Sequence, residues 1–178
     1  MDVAKLRDKL PAVERWIDEL LAQHRSVARK VAALPFARLA KYYRPETLGA
    51  AHVVVVDKLP APPLTALGLP EFAAFEHMDA DGITYRDTYF VSRARADQES
   101  LHFHELVHIV QWHILGPTTF LLAYAAGLAT AGGYAGNPLE VIAYQLQENF
   151  ELGAAFRAEP QIELHLTREI PALMAPFR

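Results

Sequence analysis

The chain has 178 residues, enough for one domain with its own apolar core. Seventeen Lys and Arg against 21 Asp and Glu give a net charge of −4 with no basic block, so nothing in the charge favours nucleic acid as a partner. There is no cysteine, which excludes disulfides and thiolate metal ligands and fits a reducing compartment.

The N-terminal stretch MDVAKLRDKLPAVERW mixes charges from its second residue and lacks an apolar leader region, so cytoplasm is the expected location. Residues 11 to 34 give the clearest helical pattern. Val13, Trp16, Ile17, Leu20, Leu21, Val27, Val31 and Leu34 recur at helical spacing, bracketed by Pro11 and Pro35. A shorter helix is expected from about Pro35 to Tyr43. The β-branched run HVVVVD, residues 52 to 57, predicts a short buried strand. KLPAPPLTALGLP then reads as a loop, because its prolines forbid regular structure. A hairpin follows, with Ile83 to Tyr85 and Thr88 to Val91 as strands and Arg86-Asp87 as the turn. Neither turn residue matches the Asn-Gly preference, which leaves the register open.

Residues 100 to 113, SLHFHELVHIVQWH, carry four histidines and one glutamate. A helix turns about 100° per residue, so His104 and His108 share a face, while His102 and His113 are rotated away from it. Glu105 lies about 100° round from His104, too far for a ligand but within reach of a metal-bound water. The flanking residues are apolar nearly all round, which predicts a buried helix. Buried imidazoles and a buried carboxylate need partners, and a metal ion supplies one for this H-E-x-x-H pattern. The alternative is an amphipathic helix with solvated histidines.

Two ligands do not close a zinc site. The completion with a third histidine six residues on fails, because Gln111 and Ile114 stand where glycine and histidine are needed. From Leu106 to Leu139 there is no Asp, Glu, Lys or Arg, so Glu140 is the first downstream carboxylate. It falls in NPLEVIAYQLQENFEL, where Asn137 is a good N-cap and Pro138 suits the first helical position. At the third position Glu140 could instead close a capping box, and the two roles compete for the same oxygens. Glu148 and Glu151 are weaker ligand candidates. Tyr144, one turn after Glu140, is either a core aromatic or a phenol offered to a developing oxyanion. Residues 114 to 131 approach membrane-span length, yet Pro117, three threonines and two glycines interrupt them. A buried helix from about Thr118 to Thr130, packed beneath the metal helix, explains the same residues, with peripheral membrane contact as the alternative. His24, His52, His77 and His165 show no second metal spacing.

HELVHIVQW followed by NPLEVIAY resembles the gluzincin division of zinc metallopeptidases, in particular its small bacterial representatives. GITYRDTYFVSR, residues 82 to 93, resembles the hairpin and edge strand that precede the metal helix in zincins, so the resemblance covers roughly residues 82 to 150. It implies His104, His108 and Glu140 as ligands of one zinc ion and Glu105 as the catalytic carboxylate. It also implies that the second hairpin strand lies along the cleft, where it could pair with an extended peptide or protein substrate. The N-E-x-x-S-D form of the third-ligand motif is missing, so the groups that orient the ligand histidines are not identified by it. Asp87, Asp97 and the backbone are the candidates.

The expected fold is α+β: a single zincin-like domain over residues 1 to 178, mainly helical, with a small mostly antiparallel sheet and the metal held between two helices. The expected reaction is hydrolysis of a peptide bond, with zinc favoured because imidazole suits it better than it suits hard cations. Iron, cobalt and nickel fit the same ligand types. The rivals are a non-enzymatic protein whose metal clamps two helices for partner binding, and a membrane-associated hydrolase anchored through residues 114 to 131. The segment from Gly153 lies beyond the resemblance and could form a last helix and tail, or regulate access to the cleft.

Overall fold

The computed structural model describes residues 3–130 and 132–175. Helix α1, Val3–His24, buries Leu6, Leu10, Val13, Ile17 and Leu20, a stripe at alternating spacings of four and three. It begins well before Pro11, which sits inside the helix on its exposed side; the stripe runs on through the proline and outweighs the one lost backbone hydrogen bond. It also ends ten residues before the expected stop. After His24, whose Nδ1 donates to the Leu20 carbonyl at 2.9 Å, the chain turns into strand β1, Arg29–Lys30. Val27 and Val31 keep the helical period, but Val27 is solvent-facing and Val31 is buried just after β1, its N–H reaching the Ala51 carbonyl at 2.9 Å. The helix expected over 35 to 43 is a single 3-10 turn, Leu39–Lys41, held by long-range contacts such as the 2.8 Å hydrogen bond from Tyr43 Oη to the Phe103 carbonyl.

Helix α2, Pro45–Ala50, leads into β2, His52–Val56, the expected β-branched strand. The proline-rich loop ends in a short helix α3, Ala73–Glu76. The hairpin follows as β3, Gly82–Tyr85, and β4, Thr88–Ser92, pairing Tyr85 with Thr88 across a two-residue turn in which Arg86 adopts φ 58°. The sheet order is β1-β2-β4-β3, with β2 and β4 parallel and the other two pairs antiparallel. This corrects the expected place of the second hairpin strand. β4 is central, with Tyr89, Phe90 and Val91 fully buried, and both of its edges are used; β3 is the edge strand of the hairpin. The Val-rich β2 takes the place on β4 that an extended substrate would have needed.

Helix α4, Glu99–Leu128, breaks at Gly116, whose φ of 72° and ψ of 164° only glycine adopts readily. Pro117 then starts the second half, as suits a first helical position. The first half is buried without interruption from His102 to Trp112. The second half folds back onto it, Phe120 stacking on Trp112 at 4.1 Å between ring centroids, much as expected for residues 118 to 130. By length and composition α4 could cross a membrane, but 56 % of its most apolar window is buried against the rest of the chain and neither half reaches the roughly 20 residues of a span. Helices α5, Pro138–Glu151, and α6, Ala158–Leu173, pack against α4. The last helix expected after Gly153 is thus present, and the tail at 176–178 lies outside the described residues. The architecture is mixed α+β, dominated by helix, with a small mixed sheet of four strands.

Candidate metal centre

The i, i+4 spacing on α4 stacks His104 over His108, and α5 delivers Glu140 from its first turn. His104 Nε2 and His108 Nε2 lie 3.1 Å apart, and each lies 3.4 Å from an oxygen of Glu140. Donors about 2.1 Å from a tetrahedral zinc ion stand about 3.4 Å from one another, so the triangle has the size that an ion requires. All three side chains are buried.

The hydrogen bonds around the triangle set its charge. His104 Nδ1 meets Gln147 Oε1 at 3.0 Å and His108 Nδ1 meets Gln111 Oε1 at 2.8 Å. A carbonyl oxygen only accepts, so both Nδ1 atoms carry hydrogen, and in the neutral imidazoles both Nε2 atoms turn lone pairs towards Glu140. Glu140 Oε2 is buried without a hydrogen-bond partner. Three acceptors that converge in a buried space repel one another unless a cation stands among them. These residues fit a divalent ion.

A proton is the alternative cation. Burial by itself would lower the His108 pKa, but the Glu140 carboxylate beside it, with Glu105 and Gln111 adding to its effect, pushes it up to about 9. Burial likewise works to raise the Glu140 pKa, and the two imidazoles overcome it and hold that carboxyl well below its usual range. Raised above its unfolded value near 6.5, His108 stabilises the metal-free fold below that pH, and the contribution disappears as pH rises through about 9. Glu140, depressed when folded, contributes above about 4.5 and loses its contribution as pH falls. Metal-free protein should therefore be most resistant to urea between about pH 4.5 and 6.5 and weaken towards pH 9. Saturating metal should remove that alkaline weakening, because the ion replaces the proton. Urea titrations across pH, with and without metal, measure both effects; an alkaline decline that metal leaves unchanged would separate the His108 proton from the ion.

The capping role suggested for Glu140 is filled otherwise. Asn137 Oδ1 accepts from the Leu139 N–H at 3.1 Å, and the Asn137 N–H goes to the Tyr134 carbonyl, so the carboxylate of Glu140 is free to face the imidazoles. Its Oε1 also accepts from Tyr124 Oη at 2.7 Å. Glu148 is exposed and Glu151 accepts from Gln147 Nε2 at 3.1 Å, so neither joins the triangle.

Glu105 is buried beside the triangle. Thr84 Oγ1 on the edge strand donates to its Oε2 at 2.6 Å. Gly82 matters here: a Cβ at that position would overlap the Glu105 carboxyl. Burial raises the Glu105 pKa, with Glu140 adding to the shift and the two histidines and Thr84 opposing it. Tyr144 is no core aromatic. It is 49 % exposed, its ring sits edge-on to His104 at 4.6 Å, and its hydroxyl lies 3.5 Å from that of Tyr134.

The groups that orient His104 and His108 are Gln147 and Gln111, not Asp87 or Asp97. Asp87 accepts from Thr88 Oγ1 within the hairpin turn, and Asp97 lies in the turn before α4 near His102. His102 is a satisfied core histidine between Tyr89 Oη and the Ala96 carbonyl, at 2.7 and 2.8 Å, and His113 is exposed. His24 and His165 bond backbone carbonyls, those of Leu20 and Pro138. Sequence reasoning missed four residues here. Gln111 and Gln147 carried a usable signal, one as a polar residue three after His108 in an apolar helix, the other seven after Glu140 on the same face. Thr84 and Tyr124 reach the site through tertiary packing and carried none.

Comparison of the chain with protein-family models, with curated proteins and with solved structures gave no match.

Proposed function

We propose that the protein is a zinc-dependent hydrolase of peptide bonds, with a zincin-like fold of the gluzincin type. The observation that carries this reading is the set of three lone-pair donors at tetrahedral spacing beside a buried carboxylate. Three protein ligands are the number typical of a catalytic zinc, whereas structural sites are normally closed by four. Among the described residues, no other His, Cys, Asp or Glu joins the group.

Bound zinc would supply the Lewis acidity that activates water and polarises the scissile carbonyl. His104, His108 and Glu140 would hold it, with Gln147 and Gln111 fixing the imidazole tautomers and Tyr124 orienting the carboxylate. Glu105, its pKa raised by burial, accepts the proton of the attacking water and passes it to the leaving amine. Thr84 and Gly82 set the position of that carboxylate. The flanking strand in this reading is β3, not β4. Trp112 Nε1 donates to the Thr84 carbonyl at 3.2 Å, which removes one acceptor from any pairing of substrate with β3.

The direct test is hydrolysis of an internally quenched peptide library by zinc-loaded protein. Activity should vanish on removal of the metal by a chelator and return with one equivalent of zinc. Zinc-loaded protein that cleaves no member of the library would refute the reading.

A further inference from the structure

The buried metal triangle is one wall of a cavity of about 110 Å³. His104, Glu105, His108 and Glu140 form its polar end. The α1 stripe of Leu6, Leu10, Val13 and Ile17 faces it from a segment well outside the resemblance to zincins. Phe72, Phe75 and Met78, from the chain between β2 and β3, close another side. No lysine, arginine or aspartate is among the lining residues. A cation in this space would have only Glu105 and Glu140 to pair with, and Thr84, Tyr124 and the two imidazoles already face those carboxylates, while an anion would meet no lysine or arginine, so either would lose hydration at a net cost. An uncharged apolar group pays no such cost and gains the contacts that the hollow lacks.

Size narrows the occupant. An apolar cavity of about 150 Å³ holds one benzene molecule. The space here is somewhat smaller and has flexible Met and Phe side chains in its wall, so it suits a single ring or a branched four-carbon group and is too small for a long acyl chain. A second pocket of about 300 Å³ shares Phe72, Phe75, Met78, Leu128 and Tyr134 with this one, so these side chains border both spaces.

We infer that the cavity under α1 is a binding site for one uncharged apolar group about the size of a phenyl or isobutyl group, held against the metal triangle. As a statement about substrate it rests on the hydrolase reading: the favoured peptides carry such a group next to the bond that is cut. As a statement about binding it does not.

The experiment uses the full-length zinc-loaded protein in two arms. In the first, benzene is added to saturation and nuclear Overhauser contacts are sought from benzene to the methyl groups of Leu10, Val13 and Ile17. Contacts are expected, and a Val13→Phe variant that fills the space should lose them; no contacts in the unmodified protein overturns the inference without any variant. In the second arm, peptides differing only in the residues flanking the scissile bond are compared. Leu or Phe should give kcat/KM at least tenfold above Asp or Lys. Cleavage of the charged peptides at an equal rate overturns the inference and leaves the hydrolase reading standing. Benzene contacts without cleavage of any peptide support the apolar site and remove the hydrolase reading instead.

Discussion

Glu105→Gln should retain one equivalent of zinc and lose turnover by about 10²- to 10⁴-fold, the usual worth of a positioned general base. The substitution preserves shape. The glutamine carbonyl can still accept from Thr84 Oγ1, which lies 2.6 Å from Glu105 Oε2, and the amide occupies the space that Gly82 leaves free. The change removes only the capacity to take a proton. The ligand triangle is untouched, because Glu105 is not one of its three members. The outcome is read from kcat on a cleaved peptide and from zinc content by elemental analysis. Loss of both would mean that the buried carboxylate is needed for the site to form; loss of neither would remove Glu105 from the chemistry.

Local patterns explain what was legible in the sequence. His104 and His108 follow from the 3.6-residue period alone, and the Asn137-Pro138 start of α5 follows from capping chemistry. Because Asn137 caps with its own side chain, Glu140 is left to turn inward, a choice between two competing roles that only the fold makes. The errors have a common cause in tertiary pairing. Val27, Val31 and Leu34 kept the helical period of α1, yet β1 pairs with β2 and pulls that segment out of the helix. The resemblance puts the second hairpin strand at a sheet edge, but its parallel partner β2 lies 36 residues upstream, His52 against Thr88, and nothing local in the hairpin announces it. The same applies to Tyr124. It stands in a charge-free run that reads as core, and its hydroxyl meets Glu140 only because the break at Gly116 folds the second half of α4 back towards α5.

Glu140→Ala should cost zinc affinity more than the 10- to 100-fold typical of losing an outer partner of a ligand. Three consequences of the truncation act together. Two imidazoles alone do not close a site for zinc. The carboxylate that offsets the ion's charge in a buried space disappears with the side chain. Tyr124 Oη, which donates to Glu140 Oε1 at 2.7 Å, is left buried without its acceptor. Tyr124→Phe separates the last effect from the first two, because it removes the donor and leaves all three ligands; its loss should stay within the 10- to 100-fold range. Competition titration with a chromophoric chelator gives both affinities on one scale. The alanine variant should also reduce the alkaline weakening of the metal-free fold, since Glu140 leads the groups that raise the His108 pKa against burial, ahead of Glu105 and Gln111. Unchanged zinc affinity in Glu140→Ala would move the third ligand elsewhere on α5, to Glu148 or Glu151, and would require that helix to rotate away from the imidazoles it now faces.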